Sequence, residues 1–178
     1  MSEKMDRIYY RVEPDSPVMA VIQKAYGSHR AFTRAMTALR KEIKASEVWI
    51  TGGIQFCGAR FSGELPPGWR MNAKYAVPDK RNKIGKELSR KIESLPRAMD
   101  SWDFSHAMNK EFPANEKGNS GFFHWGDGQV SFTSWGKYGD AYVLSVPAGC
   151  RVNLEGCTEL KMSEYWQLKE SAKKGRAA

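Results

Sequence analysis

Apolar residues at Val18, Ile22, Ala25, Phe32, Met36, Leu39 and Ile43 recur in steps of three and four, with His29 in the one slot that breaks the series. That spacing keeps them on one face of a helix for about seven turns. Gly27 lies inside this stretch, so two shorter helices meeting at Gly27-Ser28 are the alternative to one long helix. Asp15 or Ser16 is placed to cap it, with Pro17 in its first turn, where a missing N–H costs nothing. Before it, Arg7-Ile8-Tyr9-Tyr10-Arg11-Val12 is β-branched and aromatic and predicts a strand that Pro14 closes.

After the helix, Val48-Trp49-Ile50-Thr51 and residues 54–61 flank Gly52-Gly53, which predicts a hairpin or a bulge within one long strand. Residues 65–69 read as a loop. A second amphipathic helix is expected over 81–95, with Ile84, Leu88, Ile92 and Leu95 on its apolar face and Pro96 at its end. Residues 97–120 read as irregular. A β-meander follows, with strands at 122–125, 129–135 and 141–146 and turns at 126–128 and 136–139. Residues 150–160 are mixed in pattern. Ser163 would cap a last helix over 164–174, ahead of a basic tail at about 173–178. The interleaving lacks βαβ regularity. It predicts an α+β fold with an antiparallel sheet, helices on one face, and a single domain over 1–178.

Hydrophobic residues make up 41% and aromatics 12% of the 178 residues, enough for a folded core. No apolar run reaches the roughly 18 residues of a membrane span, and the first residues are polar, so a cytoplasmic protein without membrane contact is expected. Cys57, Cys150 and Cys157 fit reduced thiols, and their spacing is not that of zinc ligands. No metal and no cofactor is expected.

Charge changes the picture more. The chain has 28 Lys and Arg against 20 Asp and Glu, a net +8. Residues 1–100 hold 19 basic and 11 acidic residues, and residues 101–178 hold nine of each, so all the surplus lies in the first part. Opposite the apolar face of the long helix run Arg30, Arg34, Thr37, Lys41 and Lys44, again spaced by four and three, with no acid among them. On the second helix Lys80, Arg81, Lys83, Lys86, Arg90 and Lys91 cluster. Such faces suit a polyanionic partner, although a solvated helix surface also carries lysines. Trp69 near Arg70 and Lys74, and Trp135 near Lys137 and Tyr138, have the aromatic–basic interleaving that single-stranded nucleic acid uses, although most tryptophans in a domain of this size belong to the core and these two are expected to be structural. No helix-turn-helix, RRM or finger signature is present.

Catalytic patterns are sparse. His29 reads as a satisfied core histidine, and His106 and His124 show no base–partner arrangement in the sequence. No GxxxxGK[ST] or strand-linked GxGxxG occurs. Arg11, Ser131-Phe132-Thr133-Ser134 and Glu155 or Glu159 follow the order of residues in ADP-ribosyltransferases, but the Ser-Thr-Ser run is interrupted and no Glu-x-Glu pair is present.

Three segments carry a resemblance: Arg7-Ile8-Tyr9-Tyr10-Arg11-Val12, residues 77–97 (VPDKRNKIGKELSRKIESLPR) and residues 156–172 (GCTELKMSEYWQLKESA). Together they resemble small, uncharacterised accessory proteins of phages and prophages of proteobacteria. The resemblance implies a phage-encoded protein acting in the host bacterial cytoplasm and transfers no catalytic residue. The expectation is a binding protein without catalysis, engaging a host nucleic-acid-processing or defence complex, or nucleic acid itself. Arg30, Arg34, Lys41, Lys44, Lys83, Lys86 and Arg90 would form its contact surface. The alternatives are a small enzyme of nucleotide or nucleic-acid chemistry, with His124, Asp127 or His106 in a cleft, and a virion or assembly protein. The oligomeric state is left open by the sequence.

Overall fold

The computed structural model describes residues 6–52 and 54–177. The α+β class read from the sequence holds, and all strand pairing among the described residues is antiparallel. Within it the chain forms two compact units. Unit 2 is residues 25–99. Unit 1 is made of the residues up to Lys24 and those from Asp100 onward.

In unit 1, β1 (Arg7–Val12) lies between β9 (Ala141–Pro147) and β10 (Cys157–Leu160), with β8 (Ser134–Tyr138) on the far side of β9. The four β-branched or aromatic residues of β1 supply the strand propensity. A separate hairpin joins β6 (Phe123–Gly126) and β7 (Gln129–Phe132). Its turn has Asp127 and Gly128 both at positive φ, 51° and 74°, the geometry of a type I′ turn and the reason for the Asp-Gly pair. Val18, Ile22, Phe104, Met108, Phe122, Val143, Leu144 and Val146 are buried here.

Three features of this unit differ from the sequence pattern. Residues 129–135 are not one strand. Thr133 separates β7 from β8, because its N–H and hydroxyl both donate to the Phe122 carbonyl and its own carbonyl accepts from the buried Ser105 hydroxyl. The turn expected at 136–139 therefore falls later, at Gly139-Asp140, with β8 running through Gly136. The stretch read as irregular contains helix α3 (Ser101–Glu111), closed at its start by a capping box between Asp100 and Asp103. The last helix, α4 (Met162–Ala177), starts before Ser163, which does not cap it. The Lys161 N–H is held instead by the Glu164 carboxylate at 2.7 Å, and the basic tail is helical through Ala177.

Helix α1 (Pro17–Glu42) is unbroken at Gly27. Its start is fixed by the buried Ser16, whose hydroxyl accepts the Val18 N–H. Its end is a Schellman motif: the Ala45 N–H reaches the Arg40 carbonyl and the Lys44 N–H reaches the Lys41 carbonyl, with Lys44 at φ 57°.

Unit 2 takes the later part of α1, then β2 (Glu47–Thr51), β3 (Gln55–Arg60), β4 (Trp69–Asn72), β5 (Tyr75–Pro78) and α2 (Lys83–Glu93). The strands form one sheet in the order β2-β3-β5-β4. The hairpin expected at Gly52 is present, Gly53 lying outside the described residues; the β4–β5 hairpin had no counterpart in the sequence reading. Phe32, Met36 and Leu39 of α1 pack with Val48, Ile50 and Phe56 of the sheet and with Ile92 and Leu95. Leu88 and Ile92 of α2 pack with Ala59, Trp69 and Ala76. Both helices thus cover one face of the sheet, and strand alternation leaves the other face without a layer from this unit.

Candidate nucleic-acid interface

The two units divide the charge more sharply than the two parts of the sequence do. Unit 2 holds 15 Lys and Arg against six Asp and Glu, a net +9, and the rest of the chain holds 13 against 14, a net −1. Four of the six acids in unit 2 are already paired: Glu47 with Arg60, Glu93 with Lys80, Asp79 with Arg81 and Glu42 with Lys91. The Arg81 guanidinium, bonding the Asp79 carboxylate through Nε and Nη2, holds that carboxyl down at about 2.

The cations left over include those singled out by their spacing, together with Arg40, Arg70 and Lys74. Arg30, Arg34, Lys41, Lys44, Lys83, Lys86 and Arg90 are all exposed, and none forms an ion pair among the described residues. Arg30 has a companion group, the Tyr26 ring at 5.8 Å. Arg30, Arg34 and Lys41 lie on the outer side of α1, opposite the buried Phe32, Met36 and Leu39. Lys83, Lys86 and Arg90 lie on α2, which stands beside α1 on the sheet. Lys44 departs from the expected stripe: it sits past the end of α1 in the left-handed region, at the C′ position of the Schellman motif.

The open sheet face carries a second feature, which the sequence reading missed. Trp49 on β2 stacks on Tyr75 of β5, ring centroids 4.7 Å apart and planes 24° off parallel. Trp49 is 45% exposed. Arg60 lies 5.3 Å and Lys74 5.9 Å from the Tyr75 ring centre, and the register puts Arg70 and Asn72 of β4 on this same face. Glu47 is also on it, opposite Arg60. Gly58, on the strand between the two that carry these rings, is required there. A Cβ would meet the Tyr75 Cβ at 2.6 Å and the Ala76 carbonyl oxygen at 3.0 Å. By contrast Trp69, which has basic neighbours in the sequence, is buried against Phe56 and Phe61 and belongs to the core, as the usual place of a tryptophan suggests. Trp135 is half-buried, and the Lys137 ammonium lies over Tyr142.

At one end of the sheet, beside the start of β3 and the end of β5, a cleft of about 440 Å³ is lined by Phe32, Met36, Phe56, Ile92, Lys80 and Glu93, among others. The Ser89 hydroxyl and then Lys80 hold the Glu93 carboxyl below its usual range, so it is a charged acceptor and not a proton donor at neutral pH.

The histidines are spread through the structure. The His29 Nε2 donates to the Met99 carbonyl at 2.7 Å, as a satisfied structural histidine does. His106 is held by the rings of Trp102 and Phe123, and the His124 ring covers Gly149, where no Cβ could fit. The ADP-ribosyltransferase-like order does not assemble into a site. Arg11 is opposite Thr158 while Glu159 is opposite Tyr10, so Arg11 and Glu159 point to opposite faces of the sheet. It is Arg7 that reaches Ser131, at 3.2 Å, and it also binds the Phe132 and Ser145 carbonyls and the Ser145 hydroxyl. All three guanidinium nitrogens are thereby used to tie β1 to β7 and β9.

No family model, curated protein or solved structure matches the chain. No helix among the described residues is long and apolar enough to cross a membrane.

Proposed function

We propose that the protein binds nucleic acid by occupancy, without catalysis, and that unit 2 is its binding module. One observation carries this reading. The net +9 of unit 2 survives its internal ion pairing as a set of exposed, unpaired cations on α1, at the end of α1 and on α2. Unpaired like charges at helical spacing repel mildly and weaken the helix that carries them. A phosphate backbone removes that repulsion and releases its counterions in doing so. The setting suggested by the phage-accessory resemblance, host nucleic acid or a nucleic-acid-handling complex in the bacterial cytoplasm, belongs to the same proposal.

The test is a binding titration with labelled duplex DNA at several salt concentrations. Affinity should fall with salt with a log–log slope near −0.9 for each phosphate contacted. The double variant Arg34→Glu, Lys41→Glu should bind more weakly and with a shallower slope, while its melting temperature stays within about 2 °C, since surface changes away from packing cost within about 0.5 kcal/mol. Absence of binding to any nucleic acid at low salt would overturn the reading and would direct attention to an acidic protein as partner.

A further inference from the structure

Resting on that reading, we infer that the open face of the β2-β3-β5-β4 sheet is a stacking platform for unpaired bases, so that the preferred ligand is single-stranded. Phosphate attraction alone does not distinguish strands from duplexes. A flat, exposed ring does, because only an unstacked base offers its π-face to it. Trp49 is such a ring. It is backed by Tyr75 at 4.7 Å, so its orientation is fixed before any ligand arrives. Arg60 and Lys74 stand beside the Tyr75 ring, and Arg70 lies on the adjoining strand, so the face that carries the Trp49–Tyr75 pair also carries cations for the phosphates of a strand laid across it. Glu47 neutralises part of Arg60, which leaves Lys74 and Arg70 as the principal phosphate partners on this face. The glycine at 58 is what leaves room for Tyr75 under the platform.

Other exposed tryptophans do not meet the same conditions. Trp125, Trp102 and Trp166 are 67%, 51% and 48% exposed, but all lie in the part of the chain whose net charge is −1. Trp166 does have a cation, Lys169 at 4.9 Å over its ring, but its neighbour Tyr165 is tilted 58° from it, so no stacked ring fixes its plane as Tyr75 fixes that of Trp49.

The experiment measures anisotropy of a labelled oligothymidine, the same strand with abasic sites in place of the bases, and a duplex of equal phosphate number. One stacked base should make the oligothymidine bind about 5- to 140-fold more tightly than the abasic strand, as expected from the usual strength of base–aromatic stacking. Trp49→Ala should remove that difference without changing the salt slope or the duplex affinity. Trp49→Phe should keep most of it, and far-UV circular dichroism confirms that both variants are folded. The abasic comparison uses the unaltered protein, so it stands even if Trp49→Ala unfolds. Equal binding of the oligothymidine and its abasic counterpart would overturn the platform while leaving nucleic-acid binding intact. Loss of all binding by the unaltered protein at low salt would remove the underlying reading and the platform with it.

Discussion

Gly27 and Gly85 both lie inside helices, and replacing either with alanine adds the same helix propensity, about 1 kcal/mol. The structure assigns the two substitutions opposite outcomes. Gly27 in α1 is exposed, and a Cβ built there has nothing within 4 Å. Gly27→Ala should therefore realise the full gain and raise the melting temperature by about 2–4 °C in a chain of this size. Gly85 in α2 is buried against residue 79. A Cβ there would lie 2.8 Å from the Asp79 amide nitrogen and nearer still to its carbonyl carbon and oxygen. Three backbone atoms stand in the way, and the Asp79 N–H is itself bonded to the Gly68 carbonyl at 2.7 Å, so the end of β5 cannot yield alone. Overpacking of this kind costs about 1–3 kcal/mol, and backbone obstruction on three atoms places Gly85→Ala at the upper end. Set against the propensity gain, the net loss is about 2 kcal/mol. Parallel urea and thermal melts of the two variants decide the matter. A Gly85→Ala protein as stable as the parent would show that α2 does not sit on residue 79 as described, and a destabilised Gly27→Ala would contradict the open flank of α1.

Two other perturbations test the core and the charge network. Phe32 is 4% exposed in the cluster with Met36, Leu39 and Ala98, so Phe32→Ala should lose about 3–5 kcal/mol, and a loss under 1 kcal/mol in equilibrium unfolding would refute its place in the core. Asp79 should titrate near 2 in the folded protein, against 3.8 as its ordinary value, so its pairing contributes stability that is complete above the ordinary value and is lost as pH falls through about 2. Carboxyl carbon chemical shifts would follow this directly, and Arg81→Ala should return the titration toward the ordinary range; a value still near 2 in that variant would exclude Arg81 as the cause.

Long-range periodicity was readable from the sequence. The apolar residues of α1 and α2, strand β1 and the Asp-Gly hairpin all follow from local spacing and turn chemistry. So did the exposed cations, because a stripe opposite an apolar face can only point outward. Helix α3 was hidden because its apolar residues are few and polar ones interrupt them, although Asp100 and Asp103 carried a capping signal. The break at Thr133 depends on a hydroxyl of Ser105, which is 28 residues distant, and no local pattern encodes that. The exposure of Trp49 and the burial of Trp69 have the same origin. Trp69 has basic neighbours in the sequence and Trp49 has none adjacent, and only the register of β2, β3 and β5 decides which ring faces the helices and which the open side.

Unit 2 is contiguous in sequence, whereas unit 1 is assembled from both ends of the chain. Where the chain enters and leaves unit 2, Met99 is clasped to Ser28 and His29 through its N–H and carbonyl. During synthesis, unit 2 has all its partners once residue 99 has been made. Strand β1 must wait for β9: Arg7 and its partner Ser145 are 138 residues apart, which at about 5–20 residues per second is a delay of about 7–28 s. The basic module is thus the first part of the chain able to close, and the long loops of unit 1 make its central sheet the late, slow step of folding.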